Sequence, residues 1–173
     1  MRNIVLIGFM GCGKTTIGKQ MSRKCGLPLW DTDQMIEQRA ECTILELFAT
    51  QGEEAFRTME TALLQGLCNE QATGIFSTGG GMPLRKENAK LLKQLGHVVW
   101  LRMTEDTAYQ RLKQDKTRPI LQCEDPRGKI RQLLQDRACH YVEAADIIVD
   151  VDAKQEEEIA DEILRMIQEE HKL

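Results

Sequence analysis

No apolar run in the chain approaches the roughly 20 residues that a membrane-spanning helix needs, which predicts no transmembrane segment. The first residues show none of the charged, apolar and cleavage regions of a secretory signal, so a cytoplasmic protein is expected. There is no basic excess. The formal charge of −4 argues against a nucleic-acid binder held by general electrostatics, though it leaves room for local basic pockets that take small anions. The six cysteines, at positions 12, 25, 42, 68, 123 and 139, contain no C-x-x-C pair. A disulfide framework and a zinc site are both disfavoured, and reduced thiols are the simplest account. None of the three histidines stands at metal-ligand spacing from another His or Cys. There is no internal repeat and no low-complexity segment. The 173 residues suit one domain with a sizeable core, over 1–173.

Against these absences one stretch stands out, "GFMGCGKTT" at 8–16. It fits G-x-x-x-x-G-K-[ST], with Gly8, Gly13, Lys14 and Thr15 in the fixed places. It follows the apolar run "NIVLI" and opens onto a helical stretch in which Ile17 and Met21 share a face and Gly26 stands at the cap. Glycines let several N–H groups converge on one centre, and the helix N-terminus adds free N–H groups and a positive dipole end. Gly11, Cys12, Gly13, Lys14, Thr15 and Thr16 are therefore the expected nucleotide-phosphate site. Lys14 supplies a mobile cation and the Thr15 hydroxyl is placed for Mg²⁺. Cys12 either fills a small variable position in this loop or exposes it to oxidation; the first reading is favoured.

Five short apolar runs, at 3–7, 28–31, 74–78, 97–102 and 146–150, lack strict alternation and read as strands buried on both faces of a parallel sheet. Helical stretches separate them, which means a layered α/β domain. Thr43 is a plausible N-cap and Gly52 a helix stop. The polar connection 113–127, with two prolines, is either a lid over the nucleotide or a solvated loop.

Other groups carry possible chemistry. Asp31 and Asp33 end the second strand, where ligands of open parallel sheets sit. A carboxylate there can meet Mg²⁺ or take a proton from a hydroxyl; alternatively Asp33 simply caps the next helix. Arg57 and Glu60, three apart on one helical face, form either an anion-gripping Arg oriented by Glu60 or a surface ion pair. "STGGGMP" at 77–83 allows close backbone approach to a ligand. That strand ends in Ser77 and Thr78 rather than an acid, so Asp31 is the expected acidic partner of Mg²⁺. Arg118, in the candidate lid, suits stabilisation of a phosphoryl group in flight, and Arg137 is either a second anion contact or an ordinary helix-surface residue. Trp30 either packs or lines the substrate pocket.

In this order "GFMGCGKTTIGK", "DTD", "GEEAFRTMET", "STGGGM", "TRPIL" and "RACHYVEAADIIVD" resemble the shikimate kinase family from the phosphate loop to about residue 150. The resemblance implies a three-layer P-loop kinase fold, with a five-stranded parallel sheet flanked by helices, a lid near 113–127 and a substrate-binding region near 32–61. It implies transfer of the ATP γ-phosphoryl group to the 3-hydroxyl of shikimate, in the pathway to chorismate and aromatic amino acids. Lys14 and the loop backbone would hold ATP, with Thr15 and Asp31 at Mg²⁺ and Arg118 reaching the phosphates from the lid. Asp33 would bind the shikimate hydroxyls and act as base. Arg57 and Arg137 would hold the carboxylate, and Gly79, Gly80 and Gly81, Gly80 above all, would contact the ring hydroxyls. Members of this family are commonly monomeric. A gluconate kinase of the same architecture and a non-catalytic nucleotide-binding switch are the competing readings. The first need not carry "DTD", "FR..E" and "GGG" together, and the second would be expected to lose the acceptor-site groups.

Overall fold

A computed structural model describes residues 3–115, 121 and 123–170. Arg118 lies outside them. Five parallel strands, β1 (Ile4–Ile7), β2 (Leu29–Asp31), β3 (Ile75–Ser77), β4 (His97–Arg102) and β5 (Ile147–Asp150), form one sheet in the order β2-β3-β1-β4-β5. Each sits within one of the five apolar runs of the sequence.

The runs lack alternation because both sheet faces are covered. Ile4 and Leu6 of β1 point to one side, toward α1 (Lys14–Cys25), α5 (Glu105–Leu112) and α7 (Glu156–Glu170). Val5 and Ile7 point to the other, toward α2 (Thr32–Ala40), α3 (Ile44–Asn69) and α4 (Lys86–Leu95). All four are fully buried, so apolar residues are required at every position of the strand. The long helix α6 (Pro126–Ala144) reaches both cores, placing Ile130 in the first and Tyr141 and Ala144 in the second.

Local signals set the helix ends. Gly26 adopts φ 74° and its N–H bonds to Ser22 O, a left-handed cap that closes α1. Thr43 and Glu46 form a reciprocal capping box at the start of α3. Gly52 does not stop the helix as its composition predicted. Its backbone (φ 84°, ψ 170°) kinks α3, and the chain resumes a second helical segment at once. The rings of Phe48 and Phe56 pack across the bend with centroids 5.1 Å apart. The kink points the second segment, which carries Arg57 and Glu60, toward the end of β3. The connection read as a lid is also shorter than 113–127, because Pro126 and Arg127 already belong to α6, capped by Asp125.

α1 leaves β1 on one face and α4 follows β3 on the other, so the chain parts between two neighbouring strands. Ligands of open α/β sheets sit in such a crevice, beyond the carboxyl ends of the strands.

Candidate active site

The crevice holds a cavity of about 320 Å³ whose walls include Lys14, Thr15, Asp31, Asp33, Ser77 and Gly80. The phosphate loop forms one side. Gly13 has φ 94°, a left-handed conformation that costs glycine little, and it turns the chain directly into the first turn of α1. Lys14 Nζ donates to Gly8 O at 2.8 Å and to Phe9 O at 3.1 Å, so the ammonium arches over its own loop. Cys12 is buried and lies 3.6 Å from the same ammonium. Arg111 of α5, which no motif singled out, donates to Gly11 O at 3.1 Å and adds a second cation beside the loop.

Thr15 and Asp31 meet as the phosphate-loop chemistry requires. The Thr15 hydroxyl lies 3.0 Å from Asp31 Oδ2 and 3.0 Å from Ser77 Oγ. Asp31 divides its two oxygens. Oδ1 accepts from the N–H groups of Asp33 and Gln34, so Asp31, and not Asp33, is the N-cap of α2. This leaves Oδ2 facing Thr15.

The glycine triplet after β3 forms the opposite side. A methyl group on Gly79 would lie 2.6 Å from Asp33 Oδ1 and 3.2 Å from Glu60 Oε1. One on Gly81 would collide with the Arg57 guanidinium, and one on Gly80 would sit 3.3 Å from Gly8 O and 3.8 Å from Arg137 Nη1. The triplet is therefore a point of close approach for two carboxylates, two guanidinium groups and the phosphate loop itself. Arg137 also stacks over Phe9, 5.7 Å from the ring centroid, which answers the helix-surface alternative.

Arg57 is not a surface pair either. Its Nη1 donates to Glu60 Oε2 at 2.8 Å and its Nη2 to Glu53 Oε1 at 2.9 Å; the Glu60 side chain is fully buried. Burial pushes the Glu60 carboxyl up to about 7, with Arg57 pulling against the rise. Glu60 Oε1 has no hydrogen-bond partner among the described residues. Sequence spacing found the pair but not its burial, which depends on β3 and its turn. Trp30 stands apart from the cavity. Its Nε1–H donates to Thr73 O at 3.1 Å, at the amino end of β3.

Residues 10–168 match the family model described as "Shikimate kinase". The chain belongs to the shikimate kinase family. A shikimate kinase of Thermodesulfovibrio yellowstonii is 42% identical over 165 residues, covering 95% of this chain and 94% of that protein. Among solved structures, a shikimate kinase from Acinetobacter baumannii in complex with shikimate superposes with a TM-score of 0.91. It is 36% identical and covers 98% of this chain and 94% of that one. The shikimate kinase of Aquifex aeolicus gives a TM-score of 0.81 at 30% identity, covering 98% of each chain.

Among the described residues no helix is long and apolar enough to cross a membrane. No group of three or more His, Cys, Asp or Glu among them is placed to hold a metal ion.

Proposed function

We propose that this shikimate kinase family member transfers the γ-phosphoryl group of ATP to the 3-hydroxyl of shikimate, on the route to chorismate and the aromatic amino acids. The observation that carries the reading is the contact between the glycine triplet and the phosphate loop. The Arg57, Arg137 and Asp33 side chains also crowd this triplet, which supports reading it as the meeting point of an acceptor side and a nucleotide side.

Each group has a distinct task. The N–H groups of 11–16 and Lys14 hold the ATP phosphates, Lys14 exchanging loop carbonyls for phosphate oxygens. Arg57 and Arg137 bind the shikimate carboxylate, a planar anion suited to guanidinium forks. Asp33 accepts the proton of the attacking hydroxyl, and Gly79, Gly80 and Gly81 contact the ring. Arg118 stabilises the transferring group from the connection before α6. Thr15 and Asp31 fit Mg²⁺. Their oxygens are 3.0 Å apart, hard donors suit the ion, and a two-residue site agrees with a cation held largely by phosphates and water. When bound, the ion neutralises charge on the phosphates.

The enzyme works as a monomer, as its family membership leads one to expect. The strands of one sheet run from residue 4 to residue 150, which supports a single domain over 1–173. Its lid lies within 113–127 and its substrate-binding region within 32–61. Six free thiols suit the reducing cytoplasm. The experiment is ADP release with ATP and Mg²⁺, comparing shikimate, gluconate and no acceptor. Release that depends on shikimate is expected; equal release without acceptor would refute the reading.

A further inference from the structure

The turn that follows β3 is held by its carbonyls. Gly79 O accepts from Met82 N at 3.1 Å and Gly81 O from Leu84 N at 3.1 Å. Met82 O accepts from the buried Asn88 Nδ2 at 2.9 Å. Gly80 O alone depends on a side chain of α6: the Tyr141 hydroxyl donates to it at 2.7 Å. The N–H groups of Gly80 and Gly81 meet no acceptor among the described residues.

A trans peptide is planar, so its C=O and the next N–H point in opposite directions. Anchoring Gly80 O on α6 therefore turns the Gly81 N–H away from α6. Between two glycines this peptide plane would otherwise rotate readily, because neither residue has a Cβ to restrict it. Tyr141 suits the task. Its ring is 1% exposed and packs on Trp100, with centroids 5.5 Å apart, so the hydroxyl is delivered from a rigid base. Burial pushes its pKa up to about 12, and it remains a donor throughout the neutral range. Arg137, one turn earlier on the same helix, also reaches this turn: a methyl group placed on Gly80 would lie 3.8 Å from its Nη1.

We propose that Tyr141 is a positioning residue: its hydroxyl locks the Gly80–Gly81 peptide plane, and so sets affinity for the acceptor rather than for the nucleotide. This rests on the shikimate kinase reading above. Tyr141→Phe keeps the ring and deletes only the hydroxyl. The expected result is a rise of about tenfold in KM for shikimate, the scale of one buried hydrogen bond, with KM for ATP within about twofold. Leu67→Ala, buried in the same apolar core, is the packing control. It lowers the thermal midpoint and leaves both KM values unchanged.

A folded Tyr141→Phe enzyme with wild-type KM for shikimate overturns the inference, as does an equal rise in both KM values. Wild-type protein carries the test by NMR should the variant not fold. The Gly81 amide resonance shifts on adding shikimate, and an unmoved resonance at saturation refutes the role. Wild-type protein without shikimate-dependent ADP release overturns the functional reading and this inference with it. Intact wild-type turnover with an unaltered variant overturns this inference alone.

Discussion

Replacing Glu60 with Gln removes a buried charge while keeping the side-chain shape and an oxygen for Arg57. The carboxyl's ordinary value of 4.5 rises to about 7 in the folded chain, driven first by burial and then by the nearby Asp33 charge, and opposed by Arg57 and Arg85. Between those two values the folded state holds a proton that the unfolded state has released. Stability therefore falls as pH rises from about 4.5 to about 7 and is level above that. At about 1.4 kcal/mol per pH unit, the accumulated loss at pH 8 is about 3 kcal/mol. Gln stands for the neutral form and escapes this loss, and Arg57 retains Glu53 as a charged partner. Urea unfolding at pH 4.5 and pH 8 is the assay. The variant is expected to match wild type at pH 4.5 and to exceed it by about 1–3 kcal/mol at pH 8. A variant less stable than wild type at pH 8 would refute the reasoning. It would show that attraction between Glu60 and Arg57 outweighs the desolvation of the pair.

Three further perturbations follow, two at the site and one at the amino end of the sheet. Asp33→Asn keeps ATP binding and lowers phosphotransfer by about 10²–10⁴-fold, the scale of lost general-base catalysis, in an ADP-release assay; near-normal turnover would remove Asp33 from the chemistry. Arg57→Ala weakens shikimate binding by roughly 10–100-fold and ATP binding far less, measured by calorimetric titration of each ligand, because it deletes a carboxylate partner. Gly96→Ala places a methyl group 2.6 Å from the Asn3 carbonyl carbon, so a loss of about 2 kcal/mol is expected in thermal unfolding.

Much of this enzyme was legible in its sequence because the governing signals are local. The apolar runs located all five described strands, and Thr43 was legible as the N-cap of α3. The phosphate loop declared itself by glycines and a lysine at set intervals. One local reading failed and one alternative was set aside. Gly52 takes a positive φ, which can end a helix or kink it, and here the helix resumes with Phe48 packed on Phe56 across the bend. Two aspartates spaced by one residue both suit an N-cap, and Asp31 takes the role because its Oδ1 reaches two amides of the first turn.

The site divides along the same line. Sequence alone determined which residue types the chain offers to the proposed reaction: a phosphate loop, paired aspartates, a glycine triplet, and arginines at 57 and 137. It also determined the strand and helix order that sends them to one end of a sheet, since periodicity and turn chemistry act over a few neighbouring residues. Tertiary structure decided what surrounds each group. Glu60 is buried because α3 bends onto the turn after β3, and Gly80 is anchored because α6 returns Tyr141 to a carbonyl 61 positions earlier. Burial and partner choice depend on segments distant in the chain, and a carboxylate or a phenol carries no local mark of whether such a segment will remove it from water.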